Sequence, residues 1–417
     1  MKGYKHTEFG WIPEDWEVNN FGSVCSKIID GTHFSPKSKS GTFKYLTSKN
    51  VRNEGLDLTD VNFISESEHK DIYKRCPVKY GDILLTKDGA STGACCLNTL
   101  DEEFSLLSSV AVLRSDEKKL YNQFFYQFIK SSLGQAIISN SISGQAITRI
   151  TLEKLRGFSV CIPKLPEQKI IANILTDWDR VIRTTTQLLY AKQQLKKGLM
   201  QQLLTGKKRL SGFKEKWKHI HLGSIGETYT GLTGKTSEDF GMGKPFIPYM
   251  NIFSNSRVDV SFVEFVKIDK KESQNKVEYG DIFFTVSSET PEEVGMASVL
   301  LDQIDEMYLN SFCFGFRLKN LDTLLPEFAR FYMRSGLIKK ELYKLAQGST
   351  RFNLSKNELM KVHLFIPSDI KEQKCIAEVL SKAENEIKIL ESQFNFYKEQ
   401  KKGLMQQLLT GKKRVKV

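Results

Sequence analysis

The chain carries one fourteen-residue segment twice. Lys196 to Arg209 reads KKGLMQQLLTGKKR, and Lys401 to Arg414 repeats every letter at an offset of 205 residues. Just upstream, PEQKIIANIL from Pro166 is matched at the same offset by KEQKCIAEVL from Lys371. A repeat of about 200 residues indicates a duplicated domain, because solenoid units have periods of about 20–50 residues. The chain is therefore expected to contain a pseudo-two-fold internal repeat.

The rest of each half repeats more loosely. GQAITRITLEKLRGFSVCIP, from Gly144, corresponds to GSTRFNLSKNELMKVHLFIP, from Gly348, and the tetrapeptide Tyr-Gly-Asp-Ile at 80–83 returns at 279–282. Between these anchors the two halves share little. Since the helical segments match while the bodies differ, the pattern indicates two different ligands held on a common frame. Duplication without functional meaning is the alternative.

Each repeated segment ends a predicted long helix. The first helix is expected from Pro166 to about Leu204, because proline suits a first helical turn and apolar residues recur every three or four positions. Gly206 closes it, and the second copy has the same period and ends at Gly411. A helix of about 39 residues measures about 58 Å. A small domain cannot cover that length, so the two helices are expected to pack on each other.

The bodies, about 1–164 and 210–368, mix strand-like and helix-like runs. Strands are predicted at Phe43–Thr47, Ile83–Thr86, Ala111–Arg114, Ile282–Val286 and Phe312–Leu318, and aromatic-rich helices at Leu120–Ile138 and Leu325–Leu345. The predicted fold class is α+β, with two α/β bodies separated by two long helices.

The composition favours a soluble protein with a polyanionic partner. The 417 residues carry a net charge of +12, which favours nucleic acid, with a basic surface that binds nothing as the alternative. No apolar run approaches the roughly 20 residues of a membrane span, and the first residues lack the apolar stretch of a signal peptide. The seven cysteines include no Cys-x-x-Cys pair and are expected to be reduced. A cytoplasmic location is expected.

These features, in this order, resemble the specificity subunits of type I restriction–modification systems. The resemblance covers essentially the whole chain. Besides the duplicated helix, it lies in Leu-Pro-Glu-Gln at 165–168, the Gly-Asp-Ile strand entries at 81–83 and 280–282, the Gly-Leu-Met-Gln-Gln-Leu-Leu-Thr-Gly helix ends at 198–206 and 403–411, and the opening Gly-Trp-Ile-Pro-Glu-Asp-Trp at 10–16. One departure is that the second domain opens with Gly-Phe-Lys-Glu-Lys-Trp at 212–217, without Ile-Pro.

The resemblance implies an architecture and a function. Two target recognition domains, residues 1–164 and 210–368, would be separated by conserved helices at 165–209 and 369–417 that pack as an antiparallel coiled coil. Each domain would read one half-site of a bipartite double-stranded DNA sequence, and the helices would set the gap. Such a subunit is non-catalytic and is expected to need no cofactor or metal. It docks two methyltransferase subunits, and restriction–translocase subunits join them.

Polar loop residues beside the repeated anchors are the predicted DNA contacts, each with a solvated loop position as the alternative. Asn and Gln pair with adenine, Arg and Lys with guanine, and Lys with phosphate. The residues in the first domain are Thr32, His33, Ser48, Lys49, Asn50, Lys87, Asp88, Gln145 and Arg149. Those in the second are Thr233, Lys235, Thr236, Tyr249, Asn251, Ser287, Ser288, Thr350 and Arg351. The basic triplets 207–209 and 412–414 are candidates for phosphate contacts or for solvated helix ends.

Motifs of an enzyme are weak or missing in the sequence. Gly231 to Thr236 reads GLTGKT, but a phosphate-binding loop needs glycine where Tyr229 stands. His219 and His221 have no carboxylate or further histidine near them in a metal-binding pattern. The chain contains no Asn-Pro, so the Asn-Pro-Pro-Tyr type of methylase signature is missing. The alternative function, a self-sufficient restriction or methylation enzyme, would require the chain alone to bind S-adenosylmethionine or cut DNA.

Overall fold

The computed structural model describes residues 3–38, 40–142 and 149–416. The chain divides into two compact units. Unit 1 comprises Met1–Thr186 and Ser392–Val417, and unit 2 comprises Gln187–Glu391.

Unit 1 is built from short strands and helices. Its strands are β1 (Tyr4–Thr7), β2 (Gly10–Pro13), β3 (Glu17–Asn20), β4 (Cys25–Asp30), β5 (Phe43–Leu46), β6 (Val51–Arg52), β7 (Gly55–Leu56), β8 (Asn62–Ile64), β9 (Ile83–Thr86), β10 (Cys95–Leu97), β11 (Ser105–Leu106), β12 (Val110–Ser115) and β13 (Ser159–Ile162). Its shorter helices are α1 (Phe21–Val24), α2 (Glu66–Arg75), α3 (Asn122–Lys130), α4 (Ser132–Ser141) and α5 (Leu152–Gly157). The long helix α6 (Leu165–Leu203) begins in unit 1 and ends in unit 2.

An antiparallel sheet in the order β10-β9-β12-β4 forms the centre of unit 1. All four residues of β9 are buried, as expected for a continuous apolar run in a central strand. A second sheet, β11-β5-β8, pairs β11 parallel to β5. The core is aromatic-rich, and the rings of Phe21 and Phe125 meet edge to face with their centroids 4.7 Å apart. The periodic α3 supplies much of this core.

Unit 2 contains a corresponding set of elements. Its strands are β14 (Lys218–His221), β15 (Gly226–Thr230), β16 (Phe240–Ile247), β17 (Glu264–Val266), β18 (Ile282–Thr285), β19 (Ser287–Ser288), β20 (Ala297–Val299), β21 (Tyr308–Leu309), β22 (Cys313–Leu318), β23 (Phe352–Asn353) and β24 (His363–Ile366). Its helices are α7 (Leu222–Ile225), α8 (Tyr249–Ser254), α9 (Pro326–Tyr332), α10 (Gly336–Leu345) and α11 (Lys356–Met360), and α12 (Ile370–Leu408) runs from unit 2 into unit 1.

The two units share their sheet orders. The sheet β20-β18-β22-β15 of unit 2 corresponds to β10-β9-β12-β4, and β17-β16-β21 corresponds to β8-β5-β11, again with one parallel pair. The mixture of helices and sheets in each unit confirms the predicted mixed fold. Both long helices lie within a few residues of their predicted bounds.

Two predicted helices are each split in the structure. The run Leu120–Ile138 forms α3 and α4, because Ser131 leaves the helix and its hydroxyl accepts a hydrogen bond from the backbone N–H of Gly134 (3.2 Å). Ser335 ends the corresponding run between α9 and α10 and caps α10 through the N–H of Ile338. A serine N-cap satisfies one backbone N–H in the first turn of the new helix, which stabilises the starts of α4 and α10.

The repeated Tyr-Gly-Asp-Ile motif has a structural role in each unit. Gly81 and Gly280 adopt positive φ angles of 83° and 88°, a conformation that favours glycine. The buried Asp82 that follows accepts bonds from Arg114 Nε and Nη2, both at 2.6 Å. In unit 2, Asp281 accepts from Arg317 at 2.9 and 2.7 Å. The motif therefore fixes the entry to β9 and to β18 through a bidentate ion pair between a buried aspartate and a partly exposed arginine.

Segments of α6 and α12 lie against each other in opposite directions within each unit. In unit 2, Lys192 Nζ lies 2.6 Å from Glu386 Oε2, and Lys196 Nζ lies 2.6 Å from Glu384 Oε1. The partner's number falls as the number along α6 rises, so the segments are antiparallel. In unit 1, Lys401 Nζ lies 2.7 Å from Asp179 Oδ1.

The same ion pair closes each repeated helix end. Arg414 Nε and Nη2 bind the buried Glu167 at 2.7 and 2.8 Å in unit 1. Arg209 Nε and Nη2 bind the buried Glu372 at 2.9 and 2.5 Å in unit 2. Each arginine comes from one copy of the repeated segment and each glutamate from the start of the other copy's helix. The arginines of the predicted basic triplets are thus engaged in folding, whereas the lysines of both triplets are exposed.

All seven cysteines lie in the described part of the chain and are free, as predicted. Burial raises the pKa of the Cys95 and Cys96 thiols to about 12. Among the described residues, no helix is long and apolar enough to cross a membrane.

Candidate nucleic-acid interface

In unit 2, several loop residues surround one open depression of about 390 Å³. It lies where α8, β19, the residue before β22 and the residue before β23 meet. The Tyr249 hydroxyl donates to the backbone carbonyl of Ser287 at 3.0 Å, and burial raises the pKa of that tyrosine. The lining residues are Tyr249, Met250, Phe253, Ser287, Ser288, Glu289, Glu293, Phe312 and Arg351. The structure therefore brings together four of the predicted contact residues: Tyr249, Ser287, Ser288 and Arg351.

Unit 1 gathers a charged group at the corresponding loops. Lys87 Nζ lies 3.0 Å from Asp88 Oδ2 and 3.4 Å from Asp30 Oδ2. On the other side of Asp88, Arg149 Nε lies 3.5 Å from Oδ1, and the two residues form an isolated β-bridge. His33 Nε2 lies 3.4 Å from Asp30. Four predicted residues, His33, Lys87, Asp88 and Arg149, are thus brought together around Asp30.

Five predicted contact residues need correction, because their side chains are buried. Asn50 is 1% exposed and Asn251 is 0% exposed. The Asn50 amide donates to the carbonyls of Asp57 and Asp60, both at 2.9 Å. The Asn251 amide donates to two carbonyls of its own loop in the same way, at 2.8 and 2.7 Å. Both asparagines therefore close turns and have no amide hydrogen left for a base.

The other three corrections concern Thr32, Lys87 and Ser288, which are also buried. The Ser288 hydroxyl donates to Glu293 Oε2 at 3.3 Å. The Thr32 hydroxyl exchanges local hydrogen bonds with the backbone of Phe34. Lys87 is held between two carboxylates, so its ammonium group neutralises Asp30 and Asp88 and cannot reach a phosphate.

The remaining predicted residues lie outside both groups or at their edges. Lys235 is paired with Glu272 at 2.5 Å. The backbone N–H of Thr233 donates to Gln274 Oε1, 41 residues along the chain, and that of Thr236 donates to Asp239 Oδ2 in its own loop. Lys49 is paired with Asp60 at 2.7 Å, and the backbone N–H of Ser48 donates to Ser109 Oγ at 3.2 Å. Thr350 is exposed next to Arg351. Gln145 lies outside the described residues.

Apolar residues of the depression were not predicted. Phe312 is 63% exposed and Met250 is 51% exposed, although both are large apolar side chains. Sequence reasoning assigned Phe312 to a strand, but β22 begins one residue later and leaves its side chain at the rim. A search for polar loop residues cannot find such positions, and no other signal in the sequence marks them.

The described residues contain no group of three or more His, Cys, Asp or Glu side chains suited to a metal ion. His219 and His221, which the sequence analysis did not assign to a metal site, gain a histidine neighbour in the fold, since the rings of His221 and His363 lie with centroids 4.0 Å apart on adjacent strands. Two exposed imidazoles without a third protein ligand do not form the closed four-ligand shell of a structural zinc site.

The family model and the curated relatives that match this chain all describe type I restriction–modification specificity proteins. A family model described as "Type I restriction modification DNA specificity domain" matches residues 13–193 and again 214–395. The type I restriction enzyme MjaVIII specificity subunit of Methanocaldococcus jannaschii is 27% identical over 423 residues, which cover 97% of this chain and 94% of that protein. The EcoKI specificity subunit of Escherichia coli is 25% identical over 397 residues, covering 90% of this chain and 82% of that protein.

Solved structures show the same fold. The crystal structure of a type I restriction–modification S subunit from M. genitalium aligns with a TM-score of 0.60 at 16% identity, covering 94% of this chain and 96% of that one. A chain from a structure on complex assembly and conformational transition of the type I system aligns with a TM-score of 0.57 at 16% identity, covering 96% and 99%. Since the family model matches most of the sequence, once in each half, the chain belongs to the family of type I restriction–modification DNA specificity proteins.

Proposed function

We propose that this chain is the specificity subunit of a type I restriction–modification complex and binds a bipartite DNA site, one half-site per recognition domain. The observation that carries the proposal is the double match to the specificity domain, one match in each half. Each half holds the same sheet orders and its own group of loop residues. A common frame with different loop side chains is what two different half-sites require. The net charge of +12 supports DNA as the shared ligand.

The proposed domains are 1–164 and 210–368, with helical segments at 165–209 and 369–417. The antiparallel contacts within each unit, such as Lys196 with Glu384 and Lys401 with Asp179, support an antiparallel coiled coil as the frame. The identical helix ends support a pseudo-two-fold arrangement of that frame.

The proposed base and phosphate contacts are seven accessible members of the predicted set. In unit 1 these are His33, Lys49, Asp88 and Arg149, and in unit 2 they are Tyr249, Ser287 and Arg351. Arginine can pair bidentately with guanine, and serine hydroxyls can pair with several base edges. The lysines of the exposed triplets, residues 207–208 and 412–413, are proposed to lie near phosphates.

Docking of two methyltransferase subunits is supported by the exposed part of the repeated segment. Buried positions such as Leu204 and Leu409 must match because each packs in a core. Folding sets no such demand on exposed positions, yet Lys197, Gln201 and Gln202 recur as Lys402, Gln406 and Gln407, all exposed. Two identical surfaces suit two copies of one partner. Restriction subunits are proposed to join the same complex.

Docking can be counted directly. We expect Lys197→Glu to reduce the methyltransferase content of the purified complex from two copies to one, and Lys197→Glu with Lys402→Glu to remove both. Native mass spectrometry measures the stoichiometry. Lys216→Glu, at an exposed lysine outside the repeat, is the matched control and should retain two copies. Unchanged stoichiometry in the double variant would contradict the proposed docking surface.

The competing function is a self-sufficient restriction or methylation enzyme. Methylome sequencing of cells that express the chain with its partner subunits distinguishes the two. The proposal expects a split motif, and an exchange of residues 1–164 for those of a relative should change one half-site only. A continuous motif, or an unchanged motif after the exchange, would disprove it. S-adenosylmethionine binding or DNA cleavage by the purified chain alone would favour the enzyme instead.

A further inference from the structure

The two units present different chemistry at equivalent backbone positions, and the hydrogen bonds establish the equivalence. In unit 1 the backbone N–H of Lys87, one residue after β9, donates to the carbonyl of Ser109 at 2.9 Å. In unit 2 the N–H of Val286, one residue after β18, donates to the carbonyl of Phe312 at 3.0 Å. Lys87 therefore corresponds to Val286, and Ser109 corresponds to Phe312.

The buried asparagines fix a second point of correspondence. Asn50 and Asn251 each donate two amide hydrogen bonds to carbonyls of the loop that follows them. Each lies four residues beyond a strand that pairs in parallel with its neighbour, β5 with β11 and β16 with β21. The residues before these asparagines, Lys49 in unit 1 and Met250 in unit 2, therefore occupy the same place.

At these equivalent positions, unit 1 has polar side chains and unit 2 has apolar and aromatic ones. Two ammonium groups and two hydroxyls give way to a thioether, an isopropyl group and two rings. The unit 1 residues are Ser48, Lys49, Lys87 and Ser109, and the unit 2 residues, in the same order, are Tyr249, Met250, Val286 and Phe312. Phe312 and Met250 stand exposed together on one depression, and grouped exposed apolar side chains are a feature of ligand-binding grooves.

The apolar group available on the major-groove edge of DNA is the C5 methyl of thymine. We infer that the depression of unit 2 selects thymine in its half-site, through contact of Phe312 and Met250 with that methyl group. Ser287 and Arg351, on the same rim, supply the polar contacts to neighbouring base edges or phosphate. The loops of unit 1 lack the apolar pair and read their half-site through hydrogen bonds and charge. This inference rests on the proposed function, because it assigns a base preference to one of the two half-sites.

The test replaces thymine by uracil, which removes the methyl and nothing else. The full complex is titrated with duplexes that carry the split motif from methylome sequencing, with uracil in one half-site at a time. The domain exchange described above identifies which half-site belongs to unit 2. We expect uracil there to weaken binding roughly fourfold for each methyl contacted, the effect of exposing one buried methylene-sized group. Uracil in the half-site of unit 1 should leave the affinity unchanged.

Substitutions of Phe312 and Met250 test whether these side chains cause the discrimination between thymine and uracil. Phe312→Ser installs the residue found at the equivalent position of unit 1, and both it and Met250→Ala should reduce the discrimination between thymine and uracil towards onefold. Both positions are exposed, so these changes do not disturb the core. Met242→Ala, at a methionine of unit 2 that is 73% exposed and does not line the depression, is the matched control and should keep the discrimination.

The outcomes separate the two proposals. Absence of a split motif defeats the proposed function itself. A split motif whose unit 2 half-site contains no A·T pair, or tolerates uracil without loss, overturns the thymine inference alone. Equal weakening of thymine and uracil duplexes by Phe312→Ser also overturns it, because the ring would then stack without reading the methyl.

Discussion

Two glycines at the ends of the repeated segments offer a test of how unit 1 is packed. Gly206 and Gly411 have the same neighbours in sequence and nearly the same φ, 69° and 66°. A Cβ on Gly411 would lie 2.4 Å from Pro13 Cδ and 2.5 Å from its Cγ, whereas on Gly206 it would lie 3.4 Å from the Trp217 ring. The first distance is a clash with a rigid ring, and the second needs only a small adjustment.

The two alanine variants should therefore differ by the clash alone. Alanine in the left-handed conformation costs about 1–2 kcal/mol at either site. At residue 411 the clash adds the cost of overpacking, about 1–3 kcal/mol. We expect Gly206→Ala to destabilise unit 2 by about 1–2 kcal/mol and Gly411→Ala to destabilise unit 1 by about 2–5 kcal/mol, from the two ranges combined. Pro13→Ala, combined with Gly411→Ala, should recover the overpacking part.

Because a chain with two units need not unfold in one step, the free energy is measured separately for each unit. Hydrogen–deuterium exchange along a urea series, followed by mass spectrometry, reports peptides of unit 1 and unit 2 in the same sample. Equal losses for Gly206→Ala and Gly411→Ala would refute the argument from close approach. So would a double variant with Pro13→Ala that is no more stable than Gly411→Ala alone.

Three further predictions concern buried polar groups. Arg414→Ala leaves the Glu167 carboxylate without its bidentate partner and should destabilise unit 1 by about 1–3 kcal/mol in the same exchange assay. If Arg414→Lys were as stable as the wild type, the two parallel hydrogen bonds of the guanidinium would not be needed and this prediction would be contradicted. Asn251→Ala should destabilise unit 2 by about 1–3 kcal/mol and leave the methylated motif unchanged, because its amide closes a turn; a relaxed motif in a stable variant would contradict this role. Burial opposes ionisation of Glu384, but Lys196 and Arg330 outweigh it and hold its pKa below the ordinary 4.5. That stabilisation is present above pH of about 4.5 and is lost as the pH falls further, so Glu384→Gln should flatten the acid limb of a pH–stability curve.

The long helices could be predicted because their signals are local and strong. Pro166 at the start, the apolar period along the helix and Gly206 after its end all belong to the segment itself, and the helix lies within one residue of the predicted bounds. The break at Ser131 was harder to predict from the sequence, because α3 and α4 share one continuous apolar pattern. Gly134 shows why the chain turns there, since a Cβ on it would lie 2.3 Å from the carbonyl oxygen of Phe128. That contact exists only in the folded chain.

The candidate site was predicted less completely, for a related reason. The fold brings the predicted residues Tyr249, Ser287 and Arg351 to one depression, because loops beside the repeated anchors converge at the ends of the central strands. Asn251 was misassigned, because an asparagine that closes a turn and one that faces a base have the same sequence signature. Phe312 was missed, because exposure of an apolar residue depends on where the following strand begins.

The distribution of identity along the chain follows from how the repeat closes. Arg414 of the second copy binds Glu167 of the first, and Arg209 of the first copy binds Glu372 of the second. The first repeated segment therefore stabilises unit 2, and the second stabilises unit 1. A substitution at either helix end consequently affects elements that come from both copies of the repeat. Phe312 takes no part in these ion pairs, and under the proposed function such loop positions can vary with the half-site. Identical helix ends and divergent loops are thus two results of one arrangement, in which the ion pairs join both copies and the proposed reading surfaces belong to one copy each.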